Sequence, residues 1–138
     1  MKIFLDANVI YSAAKSESGA SHGIFNLQSK YKLNFYSSSL ALIEAERNLM
    51  EKENSEIIGR FYKLIKSIKI ISVDSQQAKN HYKDIIEEKD APILYGARQS
   101  GADFLLTLDR KHFFNKQIKA KRLLFKIQTP GDFILGLK

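Results

Sequence analysis

The chain has no cysteine, which excludes disulfides and thiolate metal sites. That absence fits a reducing compartment, and a cytoplasmic location is expected. No apolar run approaches the roughly 18 residues that a membrane-spanning helix needs. The apolar start of the chain is broken by Asp6 and Asn8, so it does not read as a signal peptide. Histidine is scarce: His22, His81 and His112 stand far apart, with no pair at ligand spacing. Each is expected at the surface or in packing, and only His112 could lie near a site built on Asp109.

What is present is positive charge. Lys and Arg outnumber Asp and Glu 22 to 15, for a net charge of +7 and a pI near 9.5. This balance favours a polyanionic partner. A chain of 138 residues can bury a real core as one domain, residues 1–138.

Strand and helix patterns alternate. Ile3-Phe4-Leu5 is a continuous apolar run, suited to a strand buried on both faces. Further strands are expected at Leu33–Tyr36, Lys69–Val73, Asp103–Leu108 and Leu123–Ile127. Helices are expected over Asn8–Ala14, Ser21–Tyr31, Leu40–Lys52, Ser55–Ile65, Ser75–Glu87, Asp90–Ser100 and Asp132–Leu137. Ser37 to Ser39 offer caps for the third helix, and Gly101 suits a position just past a helix end. Strands separated by helices imply right-handed βαβ units. The expected fold is a three-layer α/β/α domain around a parallel five-stranded sheet.

Position selects among the acidic residues. Asp6 and Asp109 each follow an apolar strand, at the sheet edge where open α/β folds bind ligands. Asp90 begins a helix that starts from the same edge. Taken singly, Asp90 reads as a helix cap, and for Asp109 a cap and a site residue are equally good readings. Converging carboxylates repel one another unless a cation joins them, so a metal is the better joint explanation. Asp103 begins the strand that Asp109 follows and is expected at the opposite edge. The helix Leu40–Lys52 carries Glu44 and Glu46, both beside its apolar stripe, and spacing alone does not choose between them. Oxygen ligands without cysteine or paired histidine favour Mg²⁺ or Mn²⁺ over Zn²⁺. From Arg110 to Lys126 the chain has no acidic residue. Arg110, Lys111, Lys116, Lys119, Lys121 and Arg122 in that run read either as a solvated loop or as a rim that holds the phosphates of a polyanion.

FLDAN at the start, SLALIEAERNL, DAPILYGARQSGADFLLTLDRKHF and the closing IQTPGDFI together resemble PIN-domain proteins, in particular the short prokaryotic type that includes VapC-like toxins. The resemblance spans nearly the whole chain. It implies an α/β/α fold and a metal-dependent endoribonuclease that hydrolyses RNA phosphodiester bonds, the toxin of a toxin–antitoxin pair. It further implies a cognate antitoxin and a homodimer. By motif, Asp6, Glu44, Asp90 and Asp109 match the acids that hold Mg²⁺ or Mn²⁺, so Glu44 is preferred to Glu46. Asn8 and Thr107 support them. Many relatives carry a further acid three residues after the position of Asp109, where this chain has His112. A phosphatase of the haloacid-dehalogenase type would need an aspartate where Asn8 stands. The rival of another class is a non-catalytic PIN-fold protein that binds RNA or acts as a scaffold.

Overall fold

A computed structural model describes residues 1–137, so the expected domain limit at Lys138 lies outside the described residues. The five strands are β1 (Lys2–Leu5), β2 (Asn34–Ser38), β3 (Ile68–Ile71), β4 (Phe104–Leu106) and β5 (Lys126–Gln128). All neighbours pair in parallel, in the order β3-β2-β1-β4-β5. The central strand is β1, and Ile3, Phe4 and Leu5 are fully buried. A strand flanked on both sides and covered on both faces has no polar position to spare, which is why this run has no alternation.

The strand order reverses at β1. The chain builds outward to β2 and β3, then returns to add β4 on the other side. Such a reversal opens a crevice beyond the carboxyl ends of the two strands that flank it. Here those ends deliver Asp6 after β1 and the segment Thr107 to Asp109 after β4.

Before β2 come α1 (Ala7–Lys15), α2 (Ala20–Asn26) and α3 (Gln28–Tyr31); after it come α4 (Ser39–Lys52) and α5 (Ser55–Leu64). A single 3-10 turn, Ile65–Ser67, leads into β3. Then follow α6 (Ser75–His81) and α7 (Ala91–Gln99), the short α8 (Arg110–Phe113) and α9 (Lys116–Ala120), and α10 (Pro130–Leu135). Helix α1 packs on α2, α4 and α5, while α6 packs on α7, which lies against β1, β2 and β4. The result is the three-layer α/β/α arrangement with a parallel five-stranded sheet. Among the described residues, no helix is long and apolar enough to cross a membrane.

Several expected boundaries move. The helix expected over Ser75–Glu87 stops at His81; beyond it, Asp84 takes a left-handed φ of 66°, which ends any helical continuation. The helix expected over Ser21–Tyr31 divides at Leu27. The strand expected at Leu123–Ile127 forms at Lys126–Gln128 instead, with Leu124 83% exposed. The last helix starts at Pro130, because Thr129 caps it through the Asp132 amide and proline suits the first turn. Gly101 does close α7, at a φ of +68°.

Candidate active site

Asp6 is both the end of β1 and the cap of α1. Its Oδ1 accepts the Ala7 amide at 2.7 Å, and its Oδ2 accepts the Thr107 hydroxyl at 2.7 Å. The Asn8 side-chain amide donates to the same Oδ2 at 3.3 Å. Asn8 also accepts the Leu108 amide at 3.1 Å, so it staples the end of β1 to the end of β4. Asp6 is 7% exposed. Burial pushes its pKa up from 3.8 to about 6, the Thr107 and Ala7 hydrogen bonds oppose the rise, and the charges of Glu44 and Asp90 add to it.

Asp109 caps α8 through the His112 amide at 3.1 Å and accepts the His112 ring Nδ1 at 2.7 Å. Burial acts to raise its pKa, but the two hydrogen bonds and the charge of His112 outweigh it and hold the pKa below the ordinary value. The same bond to Asp109 raises the pKa of His112, as do the neighbouring Asp90 and Glu87.

Asp90 departs from the capping expectation. It precedes α7, yet its side chain makes no cap hydrogen bond, because its backbone (φ −98°, ψ −14°) is already helical. An N-cap aspartate folds back onto the first amides from an extended backbone. Asp90 Oδ2 is instead buried with no hydrogen-bond partner. Burial raises its pKa, offset in part by His112 and Lys89.

Asp6, Glu44, Asp90 and Asp109 line one cavity of about 520 Å³, together with Asn8, Ser12, Lys15, Asn48, Lys52 and Lys89. Glu46 is elsewhere, its carboxylate accepting the Tyr62 hydroxyl at 2.6 Å. Asp103 sits at the other end of β1, where its carboxylate accepts the Lys2 amide at 2.8 Å.

The basic run is not part of this cavity. Lys119, Lys121 and Arg122 border a separate groove with Phe113, Phe114 and Ile118. Lys111 borders a hollow beside Glu87 and His112, and the Arg110 guanidinium lies over the Phe114 ring at 5.8 Å. His112, expected only near the site, is inside its hydrogen-bond network. Among the described residues, the tight group of oxygen and nitrogen ligand atoms comprises Glu87, Asp90 and His112, all within 4.8 Å of one another.

A cavity walled by carboxylates, one of them with a buried unpartnered oxygen, suits a hard divalent cation. The carboxylates are oxygen donors for such a cation, and His112 stands beside Asp90 as a nitrogen donor. A sequence profile of the PIN domain matches residues 2–111. The chain belongs to the PIN-domain family. No curated protein sequence matches it. Among solved structures, this PIN domain is similar to VapBC2 from Rickettsia felis bound to a promoter DNA fragment, at 17% identity and a TM-score of 0.69, covering 94% of this chain and 98% of that one. It is also similar to a toxin–antitoxin complex from Klebsiella pneumoniae, at 16% identity and a TM-score of 0.62, covering 93% and 97%. A third is VapC20 from Mycobacterium tuberculosis, described as a Sarcin-Ricin loop cleaving toxin, at 18% identity and a TM-score of 0.57, covering 79% and 91%. At these identities the likeness is one of fold, and it places the chain's architecture with VapC-type PIN domains.

Proposed function

We propose that this PIN domain is a divalent-metal-dependent endoribonuclease and the toxin of a cytoplasmic toxin–antitoxin pair. The observation that carries the reading is that Asp6, Glu44, Asp90 and Asp109, from four separate segments, line one cavity. Asp6 and Asp109 also cap helices, but capping does not require the acids to converge, and clustered carboxylates oppose one another. Asp6, Glu44, Asp90 and Asp109 would hold Mg²⁺ or Mn²⁺. When bound, the cation supplies a water of lowered pKa and neutralises charge that develops on the phosphate oxygens.

The protein's own contribution is position and exclusion. Thr107 and Asn8 hold the Asp6 carboxylate still, so that no reorganisation is needed when a cation arrives. His112 fixes Asp109. Burial of Asp6 and of the Asp90 oxygen keeps bulk water from competing for the ligand positions. No side-chain nucleophile is required. The similarity to a toxin–antitoxin complex and to a Sarcin-Ricin loop cleaving toxin supports an RNA substrate and a protein antitoxin.

The test is incubation of the purified chain with single-stranded RNA in Mn²⁺, Mg²⁺ or EDTA. Cleavage that needs the metal and is lost in Asp6→Asn and Asp90→Asn supports the reading. RNA binding without metal-dependent cleavage would favour the non-catalytic RNA-binding alternative. Growth arrest on expression, relieved by co-expression of a small neighbouring gene, tests the toxin assignment.

A further inference from the structure

A site made of carboxylates repels the phosphodiester it is meant to cut, even when a cation offsets part of the charge. Cationic side chains must therefore hold the strand on either side of the bond. They have to line the cavity itself, because exposed charges beyond about 10 Å are largely screened at moderate salt.

The cavity has two walls that change character along their length. On α4 the lining residues are Glu44, Asn48 and Lys52. They recur every four residues, so they form one stripe on one face of the helix. The stripe runs from carboxylate to amide to ammonium over about 12 Å of helix axis. On α1 the lining residues include Asn8, Ser12 and Lys15, again on one face, running from the Asp6 network outward to an ammonium. The two helices pack against each other, so the stripes are the adjoining sides of one groove.

Of the three lysines that line the cavity, Lys89 lies 3.8 Å from Glu87, and the two on these helix walls differ in their partners. Lys15 lies 3.9 Å from Glu53, a carboxylate that is already bonded to the Tyr11 hydroxyl at 2.8 Å. Lys52 makes no ion pair among the described residues, although its helix wall opens on a cavity full of acid.

We infer that the α1/α4 groove is the track for the RNA strand, with Lys52 and Lys15 holding backbone phosphates outward from the carboxylates, and Asn48 and Ser12 offering polar contacts between. This rests on the nuclease reading above and refines it. The strand runs over α1 and α4 rather than over the basic segment after Asp109, whose Lys119, Lys121 and Arg122 face a different groove. Phosphate contacts of this kind position the strand and carry no sequence preference.

The experiment measures binding of a short labelled single-stranded RNA over a KCl series, with Ca²⁺ in place of Mg²⁺ to suppress cleavage. The proteins compared are wild type, Lys15→Gln/Lys52→Gln, Lys15→Arg/Lys52→Arg, and Lys119→Gln/Lys121→Gln/Arg122→Gln. Each phosphate that is no longer neutralised should flatten the log–log salt dependence by roughly 0.7. The expected result is a flatter slope and weaker binding in the Gln pair, recovery in the Arg pair, and a wild-type slope in the triple variant. Thermal melting of the Gln pair should stay close to wild type and its Mn²⁺ affinity should be no weaker, since two positive charges leave the cavity wall, which locates the defect in strand binding. A slope that falls only in the triple variant overturns the α1/α4 track and leaves the nuclease reading intact. A wild-type protein that neither binds nor cleaves RNA overturns both.

Discussion

The Thr107 hydroxyl donates to Asp6 Oδ2 at 2.7 Å, joining residues 101 positions apart. The Thr107 hydroxyl oxygen in turn accepts the Asp109 amide at 3.1 Å and the Asn8 side-chain amide at 3.4 Å. One buried hydroxyl thus uses its donor and both of its lone pairs. It is the point at which the ends of β1 and β4 are held in register with the acids they carry.

Thr107→Val keeps the shape and removes all three bonds. The variant should lose ~1–3 kcal/mol of stability in the absence of metal, the cost of stranding buried polar partners. It should also bind Mn²⁺ more weakly at neutral pH, because the Asp6 proton is then harder to remove. Chemical denaturation and calorimetric titration measure the two effects, and Thr107→Ser should recover much of both. A valine variant with wild-type stability and affinity would mean the network is ornamental.

Asp6 links stability to pH in an unusual direction for a carboxylate. The folded chain holds its proton up to about pH 6, whereas the unfolded chain releases it near 3.8. The resulting stabilisation is complete below 3.8 and is lost as pH rises through about 6, a change of ~3 kcal/mol for the fully buried group. Asp109, whose pKa is lowered, works in the opposite sense: its contribution is present above its unfolded pKa and lost on acidification. Subtracting the melting profile of Asp6→Asn from that of wild type, both in EDTA, isolates the first effect. The difference should favour wild type at low pH and shrink or reverse by pH 7. A flat difference would show that Asp6 ionises without penalty.

The two inner strands β1 and β4 were the most legible, because Ile3 to Leu5 and Phe104 to Leu106 are continuous apolar runs, whereas the edge strand Lys126–Gln128 is mostly polar and formed downstream of the apolar residues that pointed to it. Ser38 was readable as a cap, and its hydroxyl does accept the Ala41 amide at 3.0 Å. The stretch from Tyr82 to Asp90 was not, because its polar pattern matches a helix and the left-handed turn at Asp84 has no glycine to announce it. The cavity's lysines were missed for a different reason. Lys52 and Lys15 belong to stripes that begin at Glu44 and Asn8, and their spacing of three or four residues is visible in the sequence. The density of charge after Asp109 drew attention instead, although density along the chain says nothing about which way side chains face. His112, by contrast, was legible: its three-residue distance from Asp109 is about one helical turn and places the ring on the carboxylate.

Gly96 shows how tightly α7 must approach β1. A Cβ there would sit 2.5 Å from Phe4 Cζ and 2.8 Å from its Cε2, and Phe4 is fully buried with nowhere to move. Gly96→Ala should cost ~1–3 kcal/mol through overpacking, despite alanine's higher helix propensity. By lifting α7 it should also draw Asp90 from the cavity and weaken Mn²⁺ binding. Combining it with Phe4→Leu should recover part of the loss, a coupling that a double-mutant cycle reads directly. Additive effects would place the strain somewhere other than the Phe4 ring.

Asp90 and Asp109 allow the metal and capping interpretations to be separated. Both precede helices on the same edge of the sheet, and both line the cavity. Asp109 caps its helix through the His112 amide, whereas Asp90 makes no cap bond and leaves Oδ2 buried and unpartnered. His112 does not relieve it, for the ring is 3.7 Å from Asp90 and 2.7 Å from Asp109. Asp109→Ala should therefore lose about 1 kcal/mol of metal-free stability, the usual worth of an aspartate cap. Asp90→Ala should lose none and can gain, because a desolvated carboxylate with no hydrogen bond is a cost to the folded state. Both variants should weaken Mn²⁺ binding. Melting in EDTA alongside Mn²⁺ titration gives the comparison. If Asp90→Ala melts as low as Asp109→Ala and binds Mn²⁺ like wild type, the unpartnered oxygen is serving the fold, and the case for a cation at this edge loses its strongest structural support.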